Sequence, residues 1–306
     1  MKLSWQLKLL LLGALWGGSF LFMRETGAEL GPFALIFLRC GLAVLVLLPV
    51  IIQRRAVKGC LQHWKHLSIL GLTNTAIPFC LFAWATPQLG AGYTSIINAC
   101  APFFAALIGF VWLRETLGLS AVAGLIMGFA GVVVLAAGKI HGTGEDSLYA
   151  IGAALCATGL YGWSANFTRR HLQDLPSLQI AVGSMFYATL ALLPFALAYW
   201  PTQPISYTQW WQVAMLAIGC TGIAYILFYS LVAEQGITTA MSVTYLVPVF
   251  GTLWGVLFVS EQISALTFAG GAMILAGIAL NRSRRLQGVL SRRFGSRRFG
   301  SRRFGS

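Results

Sequence analysis

"APFFAALIGFVWLRE" (Ala101 to Glu115) and "VPVFGTLWGVLFVSE" (Val247 to Glu261) are two versions of one apolar sentence, each with a proline near its start and a glutamate thirteen residues after that proline. Sliding the chain against itself by 146 residues sets Gly90 on Gly236, Pro102 on Pro248, Phe104 on Phe250, Leu107 on Leu253, Gly109 on Gly255 and Glu115 on Glu261. A slide of 145 sets Gly17 on Gly162, Ser19 on Ser164, Phe22 on Phe167, Arg24 on Arg169 and Pro49 on Pro194. The chain therefore reads as two related halves, residues 1–145 and 146–285, followed by a tail, 286–306.

Of the 306 residues, 58% are hydrophobic and 9% charged, and a soluble domain would carry roughly 25% charge. Lipid is the expected solvent. About 20 helical residues cross the ~30 Å hydrocarbon layer, and ten stretches approach or reach that length: Leu3 to Phe22, Phe33 to Ile52, Leu67 to Thr86, Ala91 to Leu113, Ser120 to Gly138, Leu148 to Phe167, Leu178 to Trp200, Trp211 to Val232, Thr238 to Val259 and Ala265 to Leu280. The expected fold is all-α, because a membrane barrel would alternate apolar and polar residues and these runs are continuous. The opening "MKLSWQLKLLLLGALWGG" has the outline of a secretory signal, but no small-x-small cleavage site follows, and the repeat needs this segment as a permanent helix. The six cysteines match no metal spacing and read as small apolar fillers. No metal or cofactor is expected.

With the amino terminus in the cytoplasm, the predicted inside segments hold eighteen of the twenty-one Lys and Arg, so both termini are expected there. The tail ends in "RRFGSRRFGSRRFGS" (Arg292 to Ser306), which contributes six of the thirteen net positive charges. It reads either as a disordered tail without a specific role or as a segment attracted to anionic lipid. Its charge is a poor argument for nucleic acid, since no aromatic-basic RNA module or DNA-reading helix accompanies it.

Five spans per half is an odd number, so the second half enters the bilayer from the opposite side and Arg24 faces out where Arg169 faces in. Inverted halves of this kind pack about a pseudo-twofold axis in the membrane plane and can be open to either side in turn. Pro102 and Pro248 each remove a backbone hydrogen bond and free a carbonyl one turn back, at Asn98 and Thr244. The two repeated sentences are thus expected to be central kinked helices, with Glu115 and Glu261 capping them at opposite faces. Small-xxx-small pairs such as Ala105 with Gly109, Gly251 with Gly255 and Gly13 with Gly17 let backbones approach. They are read as packing, and a homodimer is left open.

The residues in "LGALWGGSFLFMRE" (Leu12 to Glu25), "PFALIFLRCGLA" (Pro32 to Ala43), "APFFAALIGFVWLRETL" (Ala101 to Leu117), "GFAGVVVLAAG" (Gly128 to Gly138) and "VTYLVPVFGTLWGVLFVSEQI" (Val243 to Ile263) resemble the EamA-type, ten-helix branch of the drug/metabolite transporter superfamily. The resemblance covers nearly everything up to Arg285. It implies a multi-pass carrier of the inner membrane, often an exporter of amino acids and related metabolites, with a cavity lined by spans 1, 3, 4, 6, 8 and 9. Carried onto this sequence, it puts Trp16, Ser19 and Phe20, Trp84, and Asn98 with Pro102 near the substrate path in the first half. From the second half it adds Tyr161 and Asn166, Tyr225 and Tyr229, and Thr244, Tyr245 and Pro248. Spans 5 and 10 would be scaffold. Arg39 falls where the family is often basic, whereas its counterpart in the second half is Ser184.

Helical spacing gives independent support for some of these positions. Ser95, Asn98 and Pro102 share one stripe, and so do Met241, Thr244, Tyr245 and Pro248. The alternative is that such hydroxyls and amides bond across helices and face no cavity. Trp5, Trp64, Trp200, Trp210 and Trp211 fall at predicted helix ends as an interfacial belt, while Trp16, Trp163 and Trp254 lie deeper, where they wall a cavity or simply pack. Arg39 lies about 9 Å along the second span at 1.5 Å per residue, and a charge there costs at least about 2.5 kcal/mol. Glu25, Glu29 or the outer headgroups are its expected partners, and its role is either a gate or anchor or a contact to a substrate carboxylate.

Membrane enzymes need converging acid, base or metal-binding groups. No HExxH, GxSxG or phosphate loop is present, and the four histidines fall in predicted loops. The best reading is a secondary carrier of small metabolites such as amino acids, with lipid and a small-molecule substrate as its partners. A channel or lipid-translocating protein is the alternative, ahead of an enzyme.

Overall fold

The computed structural model describes the backbone of residues 3–53, 57–143 and 146–295, and side chains within 3–52, 57–138 and 147–280. Among the described residues every regular element is helical. Trp5–Gln53 is one helical run bent at Gly31, whose φ of 71° and ψ of 158° suit only glycine, and Pro32 follows. The bend gives α1 (residues 5–30) and α2 (residues 32–53). After the short helix Val57–Gln62 come α3 (Trp64–Leu89), α4 (Ala91–Leu113), α5 (Leu119–Thr143) and α6 (Asp146–His171). The second half continues with α7 (Ser177–Ala198), α8 (Tyr207–Gln235), α9 (Ile237–Val259) and α10 (Ala265–Gly295).

Among the described residues seven runs are long and apolar enough to cross a membrane, which makes this a multi-pass membrane protein. The count differs from the expected ten for three physical reasons. α1 and α2 form one 48-residue run, twice a single crossing. The run Asp146–His171 is interspersed with glycine and polar residues such as Gly152, Thr158, Gly159, Gly162, Ser164 and Asn166, which lower its average apolarity. The apolar part of α10, Ala265–Leu280, is too short by this measure. α10 also continues as helix through Arg292 to Gly295, into the first copy of the tail repeat, where an irregular tail was expected; residues 296–306 lie outside the described residues.

Glycines set how closely the helices approach. A Cβ at Gly17 would lie 2.7 Å from the Gly251 nitrogen and the Phe250 Cβ, so α1 rests directly on α9. A Cβ at Gly162 would lie 2.6 Å from the Ala105 nitrogen and the Phe104 Cβ, so α6 rests on α4 in the same way. α1 runs parallel to α9, since Gly13 meets Leu246 and Arg24 meets Glu261. α6 is likewise parallel to α4, with Gly162 against Phe104 and Arg169 against Glu115. α4 and α9 are antiparallel, since Gly251 meets Ser95, Gly92 meets Thr252 and Gly90 meets Glu261. α5 and α10 pack extensively on each other through Gly131 and Gly270, to one side of these four.

Both proline helices are broken, but not at matched places. α4 interrupts at Ala99–Cys100, just ahead of Pro102, as the missing N–H predicts. α9 interrupts earlier, at Met241–Ser242, and Pro248 lies inside the continuous helix Val243–Val259. There the Ser242 hydroxyl donates to the Thr239 carbonyl (2.6 Å), and tighter i to i+3 bonds carry the chain through the interruption. α3 and α8 each contain a widened π-helical segment, Leu72–Ala76 and Met215–Ile223, a feature common at functional sites.

Candidate functional site

Two three-ring clusters occupy the middle of the bundle. In one, Trp16 of α1 meets Tyr225 (centroids 6.0 Å apart) and Phe228 (5.5 Å) of α8. In the other, Tyr161 of α6 meets Phe79 (6.5 Å) and Phe82 (5.9 Å) of α3. Trp16 and Tyr161 are 145 residues apart, while Phe79 and Tyr225, and Phe82 and Phe228, are 146 apart. Phe20 packs edge-on against Phe82 (5.7 Å), linking α1 to the second cluster, and Tyr229 stacks on Tyr225 (5.9 Å).

Arg39 enters this region from α2. It is 5% exposed, and its guanidinium lies on the face of Phe79, 3.9 Å from the ring centre. Its Nε donates to the Thr221 hydroxyl (3.0 Å), and Nη1 reaches only the Met23 thioether (3.5 Å). Thr221 sits in the π-helical segment of α8 and donates in turn to the Leu216 carbonyl five residues back, so the widened backbone holds the hydroxyl toward Arg39. The expected partners do not reach it, because Glu25 and Glu29 are exposed and the guanidinium is buried, not drawn up to the headgroups.

Of the residues expected along the path, Trp16, Phe20, Tyr161, Tyr225, Tyr229 and Arg39 are brought together. Ser19 is buried beside them, with its hydroxyl closed onto the Trp16 carbonyl (2.6 Å). Asn98 and Pro102 are half-buried at the break in α4. Thr244 and Tyr245 are half-buried in α9, and Pro248 is buried. Two residues stand apart. Trp84 is 41% exposed in an apolar groove of about 550 Å³ with Pro32, Phe33, Leu192 and Phe195. Asn166 is fully engaged, its Nδ2 donating to the Ala105 and Gly162 carbonyls (2.9 Å each) and its Oδ1 accepting from Arg169 (3.3 Å). Trp163 belongs to a separate stack with Trp112, Phe167, His171 and His66; three of the four histidines, His66, His141 and His171, thus fall within helices and not in the loops expected for them. Trp254 donates to the Ala14 carbonyl (3.0 Å).

The two glutamates do not cap their own helices. Arg114 (φ 54°) and Ser260 (φ 51°) end α4 and α9 in left-handed conformation, and the Glu115 and Glu261 amides bond back to Gly109 and Gly255. A carboxylate at a helix carboxyl end opposes the dipole, whereas at an amino end it is stabilised. The Glu261 carboxylate accordingly accepts from the amides of Ala91 (2.6 Å) and Gly92 (3.0 Å), the first residues of α4, and pairs with Arg24. A vestibule of about 490 Å³ lies around this latch. At the other end of α4, on the order of 30 Å away at 1.5 Å per residue, Glu115 pairs with Arg169 (2.7 Å). The residues that correspond to Gly90, Ala91 and Gly92 in the repeat are Gly236, Ile237 and Thr238. Ala91 to Ile97 are all buried, whereas Gly236 to Thr238 are exposed, and a Cβ at Gly236 would meet nothing within 4 Å. Among the described residues no group of His, Cys, Asp or Glu could hold a metal ion.

Apolar helices long enough to cross a bilayer, packed around an aromatic interior in which Arg39 is the buried charge among the described residues, fit a multi-pass membrane transporter. The chain belongs to the EamA-like transporter family, whose model matches residues 3–137 and again 148–283. It is 27% identical to an "Uncharacterized transporter" of Archaeoglobus fulgidus over 89% of this chain and 95% of that one. A "Probable terminal-alkyne amino-acid exporter" of Streptantibioticus cattleyicolor is 26% identical over 72% of this chain and 73% of that one. The "Pseudopaline exporter CntI" of Pseudomonas aeruginosa is 27% identical over 86% and 90%. A solved crystal structure superposes with a TM-score of 0.65 over 92% of this chain and 98% of that one, at 24% identity.

The ring partners Phe79, Phe82 and Phe228 were missed in the sequence. Phe79 and Phe82 lie three apart on one face of α3, and Trp84 is about 170° away from them at 100° per residue. The family resemblance pointed to α3, and only the repeat offset from Tyr225 could have pointed to Phe79.

Proposed function

We propose that the protein is a secondary carrier of the inner membrane that exports small metabolites such as amino acids by alternating access. In this reading residues 1–145 and 146–285 are five-helix repeats inserted in opposite senses, ten spans in all, with both termini and the basic tail, 286–306, in the cytoplasm. The twofold match of the family model and the antiparallel packing of α4 against α9 favour it. The single observation that carries it is the unequal state of the two matched ends. The Glu261 latch is closed over the start of α4, and the corresponding start of α9 is exposed.

One state of a rocking pair has this form: sealed outside at Glu261 and Arg24, open inside at Gly236 to Thr238. The opposite state exchanges them, with Glu115 and Arg169 closing on the α9 amides. Substrate occupies the region between the aromatic clusters, touching Trp16, Phe20, Tyr161, Tyr225 and Tyr229, with Ser19, Asn98, Pro102, Thr244, Tyr245 and Pro248 along the path. Trp84 lies on the lipid side of α3, and Asn166 works from the inner latch. Among the described residues the histidines His63, His66 and His171 do not converge on this region, which is why a carrier is preferred to a membrane enzyme.

Reconstituted vesicles test the proposal. Saturable uptake of labelled amino acids that is accelerated by unlabelled solute on the opposite side is expected, and flux that never saturates, or no movement under either gradient, refutes it. The apolar groove holding Trp84 is the one feature that favours lipid movement. Scrambling of fluorescent phospholipid by the purified protein would replace the carrier reading with that one.

A further inference from the structure

The geometry points to a carboxylate-binding subsite at Arg39, and so to a transported solute that combines a carboxylate with an apolar body. This rests on the carrier reading above and names the substrate class of that same site. A guanidinium stays charged at any physiological pH. Among the described residues the ion pairs are Lys8 with Glu234, Arg24 with Glu261 and Arg169 with Glu115, and none involves Arg39. Of its five donors, one goes to a hydroxyl and one to a weakly accepting thioether. The Phe79 face supplies attraction from one side only.

A buried cation held this way is fixed in place but not neutralised. A structural role alone would be served more cheaply by an apolar or neutral residue, because a buried charge is costly unless paired. An incoming carboxylate supplies what is missing, a planar acceptor matched to the guanidinium fork. The surroundings define the rest of the ligand. Tyr161 and Tyr225 lie within electrostatic reach of Arg39 and add their hydroxyls to that of Thr221. Trp16, Phe20, Phe82 and Phe228 offer ring faces and edges. Few polar groups and many rings suit an apolar body with one charged end. Met23, which contacts Arg39, directly precedes Arg24 of the closed latch, so the subsite sits just beneath the sealed end. The second half has Ser184 at the matched position, so the charge is single and the carboxylate has one orientation.

The test uses the full chain in vesicles and in detergent with matched pairs that differ at the carboxylate: phenylalanine against phenylalaninamide, leucine against leucinamide, and indole-3-acetate against indole-3-acetamide. The acids should show counterflow and raise the unfolding temperature, and the amides should do neither. Arg39→Gln should lose acid transport by roughly 100-fold or more, the scale of stranding one partner of a buried pair, and Arg39→Lys should recover part of it. Thr221→Val, which frees the guanidinium without removing it, should raise KM for the acid several-fold at unchanged kcat; should Arg39→Gln fail to fold, this variant decides, and an unchanged KM overturns the subsite. Amides moved as well as acids, or acids moved as well by Arg39→Gln, overturn it and leave the carrier standing. So does counterflow of cationic or neutral solutes with no acid moved. If no solute moves at all, both readings fall.

Discussion

Glu261→Gln is the sharpest perturbation of the closed end. The carboxylate accepts two amides that have no intrahelical acceptor, Ala91 at 2.6 Å and Gly92 at 3.0 Å, and pairs with Arg24. A hydrogen bond to a charged group contributes about 1.5–3 kcal/mol and a neutral one about 0.5–1.5 kcal/mol. Glutamine keeps one carbonyl oxygen, and with it one neutral bond, but gives up the ion pair. The closed end should therefore lose about 2–3 kcal/mol relative to the open one, which is a shift of roughly 30- to 150-fold in their ratio. Hydrogen exchange read at Ala91 and Gly92 in nanodiscs measures this directly. Exchange at these two amides should accelerate by that factor in Glu261→Gln and stay unchanged in Glu115→Gln. Unaltered protection at Ala91 and Gly92, or equal acceleration by both variants, would refute the latch.

Gly90→Ala and Gly236→Ala share the same backbone strain, at φ 100° and 81°, worth about 1–3 kcal/mol each, but only at Gly90 would the new Cβ press on Glu261, at 2.8 Å from its Oε1. Thermal unfolding should fall further for Gly90→Ala, and equal losses would count against the closed contact. Asn166→Ala removes the 2.9 Å bond to the Ala105 carbonyl that ties α6 to α4, together with the 2.9 Å bond to Gly162 within α6, and should cost about 1–3 kcal/mol of stability, with solute KM unchanged in vesicles. Burial holds the Cys60 thiol above its ordinary pKa, and the thiol lies 3.6 Å from the Gln179 carbonyl. Less thiolate is then present at a given pH, so maleimide labelling at pH 8 should be slower than for a free thiol and rise with pH. Trp16→Ala and Tyr161→Ala remove matched members of the two ring clusters, and transport assays should show both impaired.

Much of the architecture was legible before any coordinates. The apolar runs have no soluble alternative, and the spacing of 145–146 residues carried through to Gly17 on Phe250 and Gly162 on Phe104, because close backbone approach tolerates only small residues at those positions. The site was legible only in part. Trp16, Tyr161 and Tyr225 follow from their helices and the repeat, whereas Phe79 was passed over for Trp84 because a continuously apolar helix carries no periodic signal to tell its inner from its outer face.

Sequence by itself determined that the chain enters lipid, that it repeats, and that α4 breaks ahead of Pro102, since hydropathy, residue spacing and the missing proline N–H are local properties, whereas the bend at Gly31 and the break of α9 at Met241–Ser242 appeared only in the fold. Tertiary structure alone decided which helix each glutamate stabilises, that Glu25 and Glu29 leave Arg39 without an ion pair, and that one matched end is closed while the other is exposed. Those outcomes depend on charges and dipoles brought together from residues as far as 237 positions apart, as Glu261 is from Arg24, and no local pattern encodes such an encounter.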